Sequence, residues 1–316
     1  MKISLIIPVY FNQDNLMPLY SDIVAKLYPH DEIDWELVMV NDGSKDESYT
    51  VLKKIASSDN RVKIISLSRN FGSHAAILCG LSECTGDCAC VKAADLQEPT
   101  ELVLKMVDSW KQGNNVVLAE RAGREEKFSQ KLFANFYYWL VRKTALPTMP
   151  KTGFDVFLID RKVIEVLKSL DEKNSALTGQ ILWSGFKTGI VSYVRRSREI
   201  GESRWTLKKK IRLVMDTLFS FSNLPITAVL WVGFSSIAIA AIWAIIVFIQ
   251  RMMGCIKVDG FTTLMIVQLL SFGLIMMTLG VLGEYLWRTF DASRKRPPYI
   301  VEDRYSIDSK KEHTSN

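Results

Sequence analysis

The sequence predicts an α/β protein: a mostly parallel sheet with flanking helices, followed by interfacial helices and two C-terminal transmembrane helices. Three observations carry this. From Ile3 to Ala119, short apolar runs alternate with stretches of helical spacing, the pattern of repeated βαβ units. Between Thr217 and Gly283 the only charged side chains are Arg251, Lys257 and Asp259, although 23% of the chain is charged. Polar residues also recur just after the predicted strands, where ligands bind in such sheets.

Taken in order, Ile3 to Val9 is an apolar strand. The N-terminal MKISLIIPVY carries one lysine, and no small-residue cleavage site follows Pro8, so it reads as a strand and not as a signal peptide. Asn15 to Leu27 has helical spacing, and Trp35 to Val40 is apolar and ends in N-D-G-S. A helix to about Ser57, a strand Val62 to Leu67 and a helix Ser73 to Glu83 follow. The series continues with a strand Cys88 to Ala93, a helix near Thr100 to Gln112 and a strand Val116 to Ala119. Phe128 to Ala145 and Trp205 to Asn223 are amphipathic, the second with a lysine-rich face, and read as interfacial helices. For the first of these, packing on the core explains the pattern equally well.

Ile226 to Ile249 reaches about 36 Å as a helix, enough for a hydrocarbon core of roughly 30 Å. A second uncharged run covers Gly260 to Gly283. Lys208, Lys209, Lys210 and Arg212 precede the first span and Arg288, Arg294, Lys295 and Arg296 follow the second, against Arg251 and Lys257 between them. The positive-inside bias therefore puts both termini and the large N-terminal region in the cytoplasm, at the cell (inner) membrane. The expected divisions are a cytoplasmic domain 1–203, an interfacial helix 204–224, a two-helix anchor 225–290 and a polar cytoplasmic tail 291–316, with disorder after Pro298.

Composition excludes intrinsic disorder, a collagen-like chain and a small disulfide scaffold: 48% of the 316 residues are hydrophobic. The five cysteines, Cys79, Cys84, Cys88, Cys90 and Cys255, lack zinc spacing and read as buried, reduced thiols. The net charge of +6 collects beside the spans, so it signals anionic lipid and not nucleic acid. His30, His74 and His313 form no triad or metal pattern.

Tyr10, Asn12, Asp42, Ser44, Arg69, Asn70, Asp95, Gln97 and Arg121 each fall just after a predicted strand. Neither a P-loop nor a G-x-G-x-x-G fingerprint is present, so a diphosphate here needs another counter-charge, such as a carboxylate-bound divalent cation. I-P-V-Y, V-N-D-G-S, S-R-N-F-G and A-D-L-Q-E-P, in this order, resemble the family 2 glycosyltransferases of GT-A fold. F-L-I-D-R, R-E-I-G-E-S-R-W and the two spans are similar to the polyprenyl-phosphate branch of that family, the bactoprenol glucosyltransferase and dolichol-phosphate mannose synthase types. The resemblance extends from residue 1 to about 290.

It implies a nucleotide pocket lined by Pro8, Tyr10, Asn12, Asp42, Arg69 and Ala94, with Asp42 facing the base. It implies Mg2+ or Mn2+ at Asp95 and Gln97, and Arg121 toward the acceptor or diphosphate. Arg198, Ser203 and Arg204 match R-x-x-G-x-S-K, with arginine for the lysine. Two positions depart from the family: Ala93 replaces the first acid of D-x-D, and Asn41 the first acid of D-D-G-S. Magnesium keeps waters and needs only one or two carboxylates plus substrate phosphates, so Asp95 with the diphosphate suffices in principle.

The implied reaction moves a sugar, with inversion, from a nucleoside diphosphate (UDP favoured over GDP) to a polyprenyl phosphate. That acceptor is largely dianionic at neutral pH and needs no strong base. A processive synthase is disfavoured, since Gly201 stands three positions before Arg204 where Q-x-x-R-W has glutamine. Two readings stay open: transfer to a hydroxyl lipid, with Asp155 of T-G-F-D-V-F as base, and a catalytically weak nucleotide-sugar sensor, which Ala93 favours. The two-span arrangement is compatible with a homo-oligomer.

Overall fold

The computed structural model describes residues 1–122, 128–170, 172, 175–195, 207–253 and 260–307. Its strands are β1 (Lys2–Val9), β2 (Asp34–Asn41), β3 (Val62–Leu67), β4 (Cys88–Val91), β5 (Val116–Arg121), β6 (Phe157–Asp160), β7 (Thr188–Tyr193) and β8 (Val301–Tyr305). They form one sheet in the order β7-β5-β6-β4-β1-β2-β3-β8. β3, β2, β1 and β4 are parallel, β5 and β7 run the same way, and β6 is inserted antiparallel between β4 and β5. The carboxyl ends of the six co-directional strands therefore open on one edge, and β6 enters from that same edge.

The sheet is covered on both faces, which is why its central strands are continuously apolar. Helices α1 (Gln13–Lys26), α2 (Ser48–Ala56) and α4 (Glu101–Lys111) bury Leu16, Leu19, Ile23, Leu52, Ile55 and Met106 against one face. On that side β1 contributes Ile3, Leu5, Ile7 and Val9, while Ile6 points the other way, as a strand's period of two requires. The opposite face receives α3 (Ser73–Glu83), α5 (Phe128–Thr144), α6 (Arg161–Ser169) and α7 (Leu177–Trp183), through residues such as Cys79, Val141, Ile164 and Ile181. Asp160 ends β6 and caps α6 by accepting from the Lys162 amide at 2.9 Å. Cys79, Cys84, Cys88 and Cys90 are buried free thiols, and burial pushes Cys79 and Cys90 up to about 12. Cys255 lies outside the described residues.

At the edge opposite the carboxyl ends, Glu36 of β2 is 3% exposed. Burial alone would raise its pKa. Lys63 at 2.8 Å, Ser4, and the Thr85 amide and hydroxyl at 2.8 and 2.9 Å outweigh that and lower it from 4.5 to about 2. A carboxylate depressed this far contributes about 3 kcal/mol, present above the unfolded value and lost as pH falls from about 5 toward about 2. Glu36→Gln should accordingly lose about 2–3 kcal/mol at pH 7 and roughly half of that relative to wild type at pH 3. Denaturant melts at the two pH values measure this, and an equal deficit at both would refute it.

Helix α8 (Leu207–Phe221) leads into α9 (Leu224–Met252) and α10 (Phe261–Ser293), both long and apolar enough to cross a membrane. Large apolar side chains along both, including Leu230, Trp231, Phe234, Leu270 and Leu286, stay exposed. Tyr137 of α5 hydrogen-bonds Thr217 of α8 at 3.0 Å, so α5 is bridged to α8 as well as packed on the sheet. Arg288 of α10 binds Asp216 of α8 and Glu284, each at 2.9 Å. His74 on α3 feels Asp216, but burial dominates and lowers its pKa.

One expectation is overturned. The chain after Pro298 is ordered through residues 301–305 as β8, antiparallel to β3. Its polar composition hides contacts on both faces of the sheet: Tyr299 and Val301 pack on the core under α3 and Tyr305 on the core under α1 and α2, Arg304 binds Glu83 at 2.8 Å, and Asp303 accepts from the Tyr49 hydroxyl. Charged side chains suit an edge strand, because they discourage further pairing.

Candidate active site

The first wall is made by the turns after β1 and β2, where Pro8 and Val9 lie in register with Val40 and Asn41. Phe11 adopts a left-handed backbone (φ 53°), which turns its amide toward Ser44 Oγ at 3.1 Å. Asn12 donates its amide to Ser48 Oγ at 3.0 Å and accepts from the Tyr10 amide at 3.3 Å. The half-buried rings of Tyr10 and Phe11 meet edge to face, 4.7 Å between centroids. Asn41, in the place of the family's acid, uses both ends of its amide: Nδ2 donates to Ser66 Oγ at 3.0 Å while Oδ1 accepts from the Ser44 amide at 3.2 Å.

Asp42 is 2% exposed and reaches into the third loop. Its Oδ1 accepts from the Phe71 amide at 2.7 Å and its Oδ2 from the Gly72 amide at 2.9 Å. Next to it, Gly43 has φ 63°, and a Cβ there would come within 2.3 Å of the Arg69 carbonyl carbon. The two loops thus touch backbone to backbone, and glycine is required at that contact. Arg69 is exposed and lies over the Phe71 ring at 4.3 Å. The resemblance turns Asp42 toward a base; its two amide contacts give it the S-R-N-F-G loop to hold.

The second wall follows β4. Lys92 still pairs in the sheet, its amide on Ile6 carbonyl at 3.0 Å, and its buried ammonium donates to the Glu98 carbonyl, closing residues 92–98 into a loop. Burial lowers the Lys92 pKa, opposed by Glu98. Within the loop Ala94 is buried, Leu96 is left-handed (φ 59°), and Asp95 Oδ1 accepts from the Gln97 amide at 3.3 Å. Arg195, just beyond β7, donates to Gln97 Oε1 and stands 4.0 Å from Asp95 Oδ2. Glu98 is buried as well, and desolvation together with Asp95 raises its pKa against Lys92, Arg195 and Arg121.

Arg121 ends β5 and is ion-paired with Asp155, which precedes the antiparallel β6 and so meets it at the same edge. Tyr193, opposite Arg121 in the β5–β7 register, is buried, and that burial raises its pKa. The structure therefore brings Asp95 and Gln97 together through Arg195, and seats Arg121 close enough to act on Glu98. Arg198, Ser203 and Arg204 lie outside the described residues. Arg195 and the pairing of Asp155 with Arg121 are not among the features the motifs pointed to, and Glu98, though it stands in A-D-L-Q-E-P, was given no role by them. Arg195 was findable in principle, since it sits two residues past a strand, but TGIVSY is a half-exposed strand without a clear apolar run.

Among the described residues no group of three or more His, Cys, Asp and Glu could hold a metal ion. Asp95 and Gln97 nonetheless present hard oxygen donors side by side, which fits a Mg2+ or Mn2+ ion that shares its coordination with substrate phosphates and water.

The model of glycosyl transferase family 2 matches residues 4–172, from β1 through α6. An uncharacterized glycosyltransferase, YkcC, of Bacillus subtilis (strain 168) is 37% identical over 309 residues, covering 98% of this chain and 95% of that protein. A prophage bactoprenol glucosyl transferase homolog of Escherichia coli (strain K12) is 33% identical over 304 residues, covering 96% and 99%. The bactoprenol glucosyl transferase of Shigella phage SfV is 32% identical, covering 96% and 99%. The antiparallel β6 inside a parallel sheet, the ordered motifs on its carboxyl edge and these full-length matches agree: the chain belongs to glycosyl transferase family 2, with a GT-A-type sheet.

Proposed function

We propose that the protein is a membrane-bound inverting glycosyltransferase that moves a sugar from a nucleoside diphosphate, UDP before GDP, to polyprenyl phosphate on the cytoplasmic face. The observation that carries the acceptor class is the Arg121–Asp155 ion pair. A hydroxyl acceptor needs a base, and the candidate, Asp155, is instead holding a guanidinium at the mouth of the site. A phosphate acceptor supplies its own negative oxygen and needs what is there: cationic side chains to hold it in line with the leaving diphosphate. The relatives named bactoprenol glucosyl transferases support the same acceptor.

Asp95 and Gln97 would hold Mg2+ or Mn2+, which when bound neutralises the leaving diphosphate. Tyr10, Asn12 and the Asp42-held loop shape the pocket for the nucleoside; Arg121 orients phosphate oxygens. Transfer in one displacement inverts the anomeric carbon.

The membrane reading rests on α9 and α10, about 44 and 50 Å long, which exceed a hydrocarbon core of roughly 30 Å. The pairing of β8 with β3 supports an even number of crossings, because the chain after α10 returns to the sheet that precedes α8. The basic flanks support a cytoplasmic position for that side. The proposed divisions remain a domain 1–203, an interfacial helix 204–224, an anchor 225–290 and a tail 291–316, whose β8 rejoins the first.

Membranes carrying the protein, given labelled UDP- or GDP-sugar and polyprenyl phosphate with Mg2+, Mn2+ or chelator, should form an acid-labile, alkali-resistant lipid-linked monosaccharide. Nucleotide binding without transfer for any donor would instead favour the sensor, which Ala93 motivates. Asp155→Asn separates acceptor classes: released from its partner, Arg121 should cost about tenfold in transfer with the pH profile unchanged in shape. Loss of about 10²–10⁴-fold together with loss of the acidic limb of the profile would identify a base.

A further inference from the structure

Arg195 lies two residues beyond β7, at the edge where Asp95, Gln97 and Arg121 also emerge. It approaches the two side chains proposed for the cation: its Nη2 donates to Gln97 Oε1 and is 4.0 Å from Asp95 Oδ2. Its Nε is buried with no hydrogen-bond partner, and so is Glu98 Oε2 in the same charged cluster. An orphan donor and an orphan acceptor, each a buried atom of one charged cluster, mark a place that a polar ligand completes, since leaving such groups unpaired is costly.

We propose that Arg195 is the resident counter-charge of the cation site, competing with the divalent ion for the same oxygens, so that the ion enters together with the nucleoside diphosphate. This rests on the cation reading given above. The competition is one of geometry and charge. Magnesium requires oxygens at about 2.0–2.1 Å, and a guanidinium held on the same carboxylate and amide shares their lone pairs and repels the ion. With Ala93 in place of an acid, the D-x-D position offers the two cations the one carboxylate of Asp95. A diphosphate relieves the conflict: its oxygens match the planar fork of arginine better than a single amide oxygen does, and they bring the charge that both cations need.

The test is a titration of full-length protein in detergent with Mn2+, following free ion by electron paramagnetic resonance, alone and with saturating UDP or, separately, GDP. In wild type one of the diphosphates should tighten Mn2+ binding by about tenfold or more, within the usual range of coupling between sites. Arg195→Gln should tighten Mn2+ binding without nucleotide by about fivefold and cut the coupling to about threefold or less. Arg195→Lys keeps the charge without the fork and should move in the same direction by a smaller factor; it carries the test if the glutamine variant does not fold by its melting curve. Mn2+ binding that is unchanged or weaker in the variants, with coupling intact, overturns the counter-charge role alone. Absence of Mn2+ binding in wild type and variants under every condition overturns the cation site and this role with it.

Discussion

Asp95→Asn is expected to lower sugar transfer by roughly 10²–10³-fold, the range seen when one group that stabilises developing charge is removed. The effect is large because the usual division of labour between two acids is missing: Ala93 leaves Asp95 as the carboxylate of its motif. An amide keeps an oxygen for the Gln97 amide, now at 3.3 Å, and occupies the same volume, so the loop should survive. What disappears is the negative charge that Arg195 faces and that the proposed divalent ion would share. The side chain is 13% exposed and lies outside the core, so the melting temperature should stay within about 2 °C of wild type. Transfer assayed at saturating donor, with Mn2+ varied, checks the assignment. Raising Mn2+ should recover part of the loss, and turnover near the wild-type rate at ordinary Mn2+ would remove Asp95 from the chemistry.

How far the sequence reaches is visible element by element. Val62–Leu67 and Ser73–Glu83 agree with the expected bounds, because S-S-D-N before the strand and S-R-N-F-G between strand and helix punctuate the apolar pattern and leave little choice. The elements it did not reveal are short or half-exposed. β6 has four residues, β7 alternates weakly, and β8 is built from Val-Glu-Asp-Arg-Tyr, whose composition resembles a solvated tail. Their order in the sheet cannot be read locally, and it is this order that brings Asp155 onto Arg121 and Arg195 onto Gln97. The loops after β1, β2 and β4 were legible because their motifs are local. The Lys92 ammonium shows the limit: in the sequence it only flanks Ala93, whereas its contact with the Glu98 carbonyl makes it the clasp of that loop.

Asp42→Asn is the second substitution with a large expected effect, and it decides what this carboxylate does. Both oxygens accept backbone amides, Phe71 at 2.7 Å and Gly72 at 2.9 Å, in a position 2% exposed. Asparagine retains one acceptor and turns an NH2 toward the other amide, so one charge-assisted bond is lost, the second is weakened and two donors face each other. Bonds to charged groups contribute about 1.5–3 kcal/mol and an unsatisfied buried donor costs a further 1–3, which places the loss at about 3 kcal/mol. For a region of this size that is on the order of 10 °C in melting temperature. The loop released is the one against which Gly43 packs without room for a Cβ, so the nucleotide pocket should loosen with it. Donor KM should then rise about tenfold, with kcat at saturating donor falling less, since binding geometry and not the transferring centre is disturbed. Thermal melts and donor titrations on the same preparation separate the two roles: a carboxylate that holds the loop loses stability and affinity together, whereas one that chiefly reads the base raises KM with the melting temperature unchanged, and that second outcome would return Asp42 to the role its motif suggests.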